Sequence, residues 1–186
     1  AYEIRLSLVG SEMCIRASRR TEEEIIKECP WATTGRVGGR KPNIITSLEL
    51  RSEEMEVINL RIQKKYKEIE EKEVRYEEYL LEDAEYAIVA FGSAARIAKK
   101  SIEIARSQGI KVGLLRPITL WPFPTKEVQK LAGKVKGILS LEINAGQMVE
   151  DIRLAVEGKV PVQHFGRLGG IIPDPDEVVD AIKRLF

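Results

Sequence analysis

Short apolar runs alternate with amphipathic stretches through the second half of the chain. Continuous apolar runs are typical of strands buried on both faces, and the stretches between them suit helices of roughly 8–15 residues. Strands separated by such helices pair in parallel through right-handed crossovers. The pattern therefore predicts a three-layer αβα domain with a mostly parallel sheet. The predicted strands are 74–80, 86–91, 111–115, 137–143 and 160–165.

Local signals predict where the helices begin and end. Gly109 stands where a left-handed residue would close the helix that follows the second strand. Asp174 and Glu177 have the spacing of a capping box, with Pro175 at its favoured first helical position. The predicted helices of the domain are 92–107, 125–132, one from the turn 144–147 to near residue 158, and one from residue 175 onwards.

A longer amphipathic segment, from Ser52 to about residue 71, precedes the domain. Its apolar positions are spaced by three and four residues, which predicts one helix of about 30 Å with Ser52 as N-cap. This helix either connects and packs on its own domain or serves to bind a partner. The apolar stripe consists of Met55, Ile58, Ile62, Tyr66 and Ile69.

Charge and chain breakers divide the sequence into three parts. Residues 1–48 contain Pro30, Pro42 and several glycines, which predicts a loop-rich extension or linker. Residues 49–73 form the connecting helix, and residues 74–186 the α/β domain. The first predicted strand of that domain is charged, which suits the edge of a sheet.

Composition excludes several classes of function. The 30 basic and 29 acidic residues nearly cancel, so we expect neither nucleic acid nor an acidic membrane surface as a partner. Two cysteines and one histidine are too few for a disulfide framework, a zinc site or an iron–sulfur cluster. No apolar run approaches the ~20 residues that span a bilayer, and no signal peptide is recognisable. We expect a cytoplasmic protein, and the abundance of Glu, Lys and Arg over amides suggests a thermophile.

Four segments follow predicted strands, at the edge where parallel α/β sheets bind their ligands. The turn at Gly92 and Ser93 offers free N–H groups but lacks a phosphate-binding motif, so it is either a tight turn or a nucleotide site. Glu142 ends an apolar strand, where an unpaired carboxylate is unfavourable. It is therefore solvated, bonded to the next helix start, or in contact with a neighbouring domain or cofactor.

The other two segments offer a histidine and an apolar corner. His164 has no acid or nucleophile near it in sequence, and such a histidine is more often structural. The corner 121–124, WPFP, either folds back to cap the sheet or forms an interface. No Ser–His–Asp, Cys–His or paired-carboxylate set can be assembled, so we predict no catalytic, cofactor-binding or metal-ligating residue.

Two segments taken together resemble the α subunit of 2-oxoacid:ferredoxin oxidoreductases, in particular the 2-oxoisovalerate and 2-oxoglutarate types. They are 113–124, GLLRPITLWPFP, and 142–148, EINAGQM. Segments 31–35, 43–48 and 75–79 resemble the linker before the C-terminal domain of that subunit, so the resemblance covers residues 31–186. Residues 1–30 do not follow the family's pattern.

The resemblance implies a domain similar to the transketolase C-terminal domain, with about five strands of which the first is an antiparallel edge strand. It also implies an enzyme complex that decarboxylates a 2-oxoacid on thiamine diphosphate, passes electrons through iron–sulfur clusters to ferredoxin, and forms an acyl-CoA. These cofactors would lie in other domains or in the β, γ and ferredoxin-like δ subunits.

On this reading the chain is not catalytic alone. It acts in the assembly of an oligomeric enzyme and shapes the surroundings of the active site. Two alternatives remain: a stand-alone module that binds a nucleotide or coenzyme A at the Gly92–Ser93 turn, and the remnant of a split gene. The residues expected to face partners are Arg116, Trp121, Pro122, Glu142, Asn144, Gln147 and His164.

Overall fold

The computed structural model of the chain describes Gly39 and residues 46–185. The chain divides into two units, residues 1–58 and 59–186, with the boundary inside the first helix described below. The predicted loop-rich part, residues 1–48, lies almost entirely outside the described residues. The predicted domain boundaries at residues 48 and 73 remain predictions.

The described residues form ten regular elements, and each predicted helix and strand of this region is confirmed with ends shifted by a few residues. The helices are α1 (Ser52–Lys72), α2 (Gly92–Ser107), α3 (Thr125–Ala132), α4 (Met148–Val156) and α5 (Pro175–Lys183). The strands are β1 (Tyr76–Tyr79), β2 (Tyr86–Ala90), β3 (Val112–Pro117), β4 (Gly137–Glu142) and β5 (Val162–Gly166).

The five strands form one mixed sheet in the order β1-β3-β2-β4-β5. Strands β2 to β5 are parallel, and β1 pairs antiparallel with β3 at the edge. The central strand β2 is buried along its whole length, whereas Tyr76 and Glu78 of β1 are exposed. The predicted antiparallel edge strand is therefore confirmed.

Helices cover both faces of the sheet, because successive strand residues point to opposite sides. Ile88 belongs to the apolar layer under α2 and α5, together with Ile102 and Ile182. Its neighbour Val89 belongs to the layer under α3 and α4, together with Ile152. These two layers confirm the three-layer αβα fold.

The predicted helix ends are confirmed as well. Gly109 has φ +84°, the left-handed conformation expected after α2. At the start of α5 the Asp174 carboxylate accepts the Asp176 N–H at 2.9 Å, and the Glu177 carboxylate accepts the Asp174 N–H at 3.2 Å. Both halves of the capping box are therefore present around Pro175.

The helix α1 forms as predicted, but none of its residues is fully buried. Its apolar residues are half-buried or exposed, and 42% of the surface of Tyr66 remains exposed to solvent. The Tyr66 ring meets the Trp121 ring edge to face, with centroids 5.3 Å apart. This contact links α1 to the corner that follows β3.

Candidate interface at the carboxyl edge of the sheet

The strand register sets where the predicted site residues lie. The carboxyl ends of β2 to β5 meet at one edge, where Ser140 pairs with His164 and Glu142 with Gly166. Ser140, Glu142 and His164 point to the face covered by α3 and α4, because they alternate with residues of the opposite layer. Leu115 belongs to the apolar layer under α3 and α4. Arg116, the next residue of β3, therefore points to the opposite face, which α2 and α5 cover.

Glu142 is fully buried and bonds to the first turn of α4. Its carboxylate accepts the N–H groups of Gln147, Met148 and Val149 at 3.0, 2.9 and 2.9 Å. It also accepts the Ser140 hydroxyl at 2.8 Å. A helix start leaves several N–H groups without partners, and the positive end of its dipole attracts a carboxylate. Of the possibilities predicted for Glu142, the structure shows the bond to the helix start.

These bonds also decide the charge of Glu142. Burial raises the pKa of its carboxyl group, but the backbone N–H groups and the Ser140 hydroxyl together lower it by more. The net pKa lies below the ordinary value, so Glu142 is an anion at neutral pH. Because the side chain does not reach the surface, any part that Glu142 has in an interface acts through the turn it holds.

That turn carries Asn144 and Gln147. The Asn144 side-chain oxygen accepts the Gly146 N–H at 2.7 Å, and Gly146 adopts φ +105°, which a side chain would rarely tolerate. Asn144 is half-buried by this role. Gln147 is exposed and directs no side-chain hydrogen bond to the cap of α4, so its side chain is open to a partner.

His164 packs against the same turn. Its Nε2 atom is buried without a hydrogen-bond partner among the described residues and lies 4.0 Å from a Glu142 carboxylate oxygen. The ring lies beside Gly166: a Cβ atom there would come within 2.7 Å of the His164 Cε1 atom. The close packing of the ring against Gly166 agrees with the structural role predicted for this histidine.

Arg116 lies on the opposite face and ties the edge strand to the sheet. It donates to the Glu77 carboxylate of β1 at 2.9 Å, and Lys99 of α2 donates to the same carboxylate at 2.6 Å. Lys99 and Arg116 hold the pKa of Glu77 below its usual range by these hydrogen bonds. Lys99 also lies 5.3 Å from the centre of the Tyr79 ring. Arg116 is thus committed largely to holding β1.

Trp121 and Pro122 form the corner between β3 and α3, joined by a cis peptide bond. Trp121 exposes 55% of its surface, whereas Pro122 is buried and its carbonyl accepts the Thr119 hydroxyl at 2.9 Å. The predicted site residues therefore share one edge of the sheet but occupy three places: the Glu142 turn, the Arg116 cluster and the Trp121 corner.

Sequence reasoning missed a set of apolar side chains at this edge. They stand in the loops after β3, β4 and β5, which are brought together only by the sheet order. Their exposure reaches 71% at Ile172, and their position at one edge of the sheet makes them candidates for a surface that another polypeptide covers. The set comprises Ile118, Leu120, Ile143, Leu168, Ile171 and Ile172.

The part of the chain that the structure describes contains no helix long and apolar enough to cross a bilayer. Within that same part, no three His, Cys, Asp or Glu side chains are grouped as metal ligands would be.

Solved structures share this fold. A 2-oxoglutarate:ferredoxin oxidoreductase from Magnetococcus marinus, solved with 2-oxoglutarate, coenzyme A and succinyl-CoA bound, superposes with a TM-score of 0.68 at 21% identity. The match covers 83% of this chain and 28% of that one. A split-gene transketolase, an inactive β4 tetramer, superposes with a TM-score of 0.50 at 15% identity over 59% of this chain and 41% of its own. The fold is thus that of a transketolase-like three-layer α/β domain.

Residues 84–178, just over half of the chain, match the family model of the pyruvate:ferredoxin oxidoreductase core domain II. The chain belongs to this family, as the resemblance to 2-oxoacid:ferredoxin oxidoreductases predicted.

Two relatives carry more specific names. The ketoisovalerate oxidoreductase subunit VorB of Methanothermobacter thermautotrophicus is 43% identical over 169 residues, which is 89% of this chain and 47% of that protein. The 2-oxoglutarate synthase subunit KorA of Methanothermobacter marburgensis is 30% identical over 104 residues, 56% of this chain and 28% of that protein. This chain therefore spans less than half the length of either relative. The predicted thermophile character agrees with these relatives, which are proteins of thermophiles.

Proposed function

We propose that the chain is a non-catalytic part of the α subunit of a thiamine diphosphate-dependent 2-oxoacid:ferredoxin oxidoreductase, and that its carboxyl edge packs against another domain or subunit. The exposed apolar side chains in three loops at that edge carry this proposal. Membership of the core domain II family and the similarity to VorB and KorA support it. Trp121, Pro122 and Gln147, with the turn held by Glu142, Asn144 and His164, would then shape the contact, while Arg116 braces the edge strand.

The assembled enzyme would convert a 2-oxoacid and coenzyme A to an acyl-CoA and carbon dioxide and pass the two electrons released to ferredoxin in the cytoplasm. Its other subunits would be of the β, γ and ferredoxin-like δ types. The higher identity to a ketoisovalerate oxidoreductase subunit than to a 2-oxoglutarate synthase subunit favours 2-oxoisovalerate as the substrate.

The cysteine count of the chain and the described residues do not fit two of the cofactors of that reaction, the iron–sulfur clusters and thiamine diphosphate. Iron–sulfur clusters are held by sets of Cys thiolates, and this chain has two cysteines in all, Cys14 and Cys29. A diphosphate held through a divalent cation needs a group of oxygen ligands, and the described residues offer no such group. These cofactors would therefore be held by other parts of the complex.

The turn after β2 gives the alternative function little support. Gly92 has φ +55° and α2 begins without a side-chain cap, so backbone N–H groups are open there. Such a turn is common between a strand and a helix, and nothing else described at this turn points to a nucleotide or coenzyme A. A tight turn between β2 and α2 is therefore the better interpretation of Gly92 and Ser93.

The interface can be tested by placing a charge in it. When the chain is co-expressed with the other subunits of its complex, we expect Ile172→Glu to lower their co-purification and the 2-oxoisovalerate-dependent reduction of a viologen dye at least tenfold. The reason is that a carboxylate replaces apolar surface worth roughly 1.5–3 kcal/mol on burial. Leu154→Glu is the matched control, because Leu154 is 79% exposed on α4, away from this edge.

The two variants give distinct outcomes. If both variants capture the other subunits as well as the unmodified chain does, the result would contradict an interface at the carboxyl edge. A chain that captures no partner even without substitution would support the split-gene remnant instead.

A further inference from the structure

A groove lies between the C-terminal end of α1 and the corner after β3. Its volume is about 570 Å³, which is large enough for a long side chain and part of its backbone. We call it the corner groove; the lining residues that matter here are Glu70, Glu71, Tyr76, Trp121, Phe123 and Glu127.

Three aromatic side chains line the corner groove. Trp121 is held by the edge-to-face contact with Tyr66, yet 55% of its surface stays exposed. Tyr76 is 39% exposed and Phe123 is half-buried. An aromatic ring that is held in place and left open offers a π face to a cation.

The charge of the corner groove is negative. Three carboxylates line it against one lysine, Lys126. Among the described residues, Glu70 and Glu71 take part in no ion pair, and both are exposed. Glu127 is mostly buried, and the nearest cation to its carboxylate is Lys130, at the long distance of 3.9 Å. The groove therefore combines open aromatic surface with carboxylates that lack close partners.

A guanidinium group satisfies both features at once. It is planar, stacks on aromatic rings and can bond two carboxylate oxygens in parallel, whereas an ammonium group is compact and more strongly hydrated. We propose that the corner groove is a docking site for an arginine side chain carried by a partner polypeptide. The stem of the arginine would lie along Trp121, with its guanidinium between the carboxylates of Glu70, Glu71 and Glu127.

The first experiment uses the full chain with Trp31→Phe, so that Trp121 is its one remaining tryptophan. The probes are short capped peptides that differ in a single residue: arginine, lysine or citrulline, the last being the neutral analogue of arginine. We expect the arginine peptide to change Trp121 fluorescence with a Kd on the order of 1 mM or below, and citrulline to bind at least about tenfold more weakly. Added salt should weaken the binding of the arginine peptide, because it screens the attraction between charges.

Substitutions of Glu70 and Glu71 test whether their carboxylates bind the guanidinium group. The double variant Glu70→Gln, Glu71→Gln should bind the arginine peptide several-fold more weakly than the unmodified groove does. Its affinity for the citrulline peptide should be unchanged. Glu150→Gln is the control, since Glu150 is exposed on α4 and takes part in no ion pair among the described residues. The resonances of Tyr76 and Phe123 in NMR spectra give a readout that does not depend on Trp121.

Equal binding of the arginine and citrulline peptides, or no binding of either, would overturn the proposal. If free arginine binds as tightly as the arginine peptide, the result would contradict a polypeptide partner and indicate a small-molecule site. The Ile172→Glu experiment tests the carboxyl-edge interface separately, because Ile172 does not line the corner groove.

Discussion

Replacing Glu142 with alanine is expected to lower the free energy of unfolding by about 3–5 kcal/mol. The change leaves three backbone N–H groups at the start of α4 and the Ser140 hydroxyl without their acceptor, and it opens a cavity in the protein interior. Denaturant unfolding of the full chain, followed by circular dichroism, measures the loss.

Two variants separate the causes of that loss. Ser140→Ala removes one of the four hydrogen bonds and should cost about 1 kcal/mol. Glu142→Gln keeps the shape of the side chain, but the NH₂ group of the amide would face N–H donors of the backbone. We therefore expect a loss of stability between those of the other two variants. If Glu142→Ala proved no worse than Ser140→Ala, the carboxylate would not be the group that holds the turn.

The low pKa of Glu142 makes part of this stability depend on pH. A carboxyl group whose pKa is depressed on folding stabilises the protein above its unfolded pKa, about 4.3. That stability falls as the pH drops through the lower folded pKa. The difference in unfolding free energy between the unmodified chain and Glu142→Gln should therefore be constant above about pH 5 and shrink in acid. A difference that stays flat down to acid pH would contradict the ionised, hydrogen-bonded carboxylate.

Gly166→Ala is the second substitution with a large expected effect, about 2–4 kcal/mol of lost stability. A Cβ atom at Gly166 would come within 2.3 Å of the Asn144 carbonyl oxygen and 2.7 Å of the His164 ring. The carbonyl belongs to the turn that Glu142 holds, so it cannot move without disturbing the start of α4. We expect the His164 ring resonances to shift along with the loss of stability.

Gly137→Ala is the matched control in the neighbouring strand. The nearest heavy atom to a Cβ atom there, on Tyr86, is 3.6 Å away, which is an ordinary contact. We expect a change of less than about 1 kcal/mol, of either sign. Equal losses for the two variants would mean that the close approach at Gly166 has no energetic consequence.

Features encoded within a few residues of each other were predictable from the sequence. The capping box at Asp174 and Glu177 and the left-handed Gly109 needed only local spacing, and the apolar runs gave the strands. The bond from Glu142 to the next helix start was one of the possibilities, because the two are close in the chain.

Features that depend on sheet order were not predictable in the same way. Arg116 meets Glu77, 39 residues away, only because β1 pairs with β3. His164 meets Glu142 only through the register of β4 and β5. The exposed Ile118, Ile143 and Ile172 look unremarkable in their separate loops. Their common edge appears once the order of the strands is known.

The cap that Glu142 provides has an electrostatic consequence for the surface above it. Open helix starts attract phosphates and other anions. The start of α4 has its N–H groups occupied and its partial positive charge balanced by an internal carboxylate. This part of the edge therefore offers little attraction to anionic metabolites.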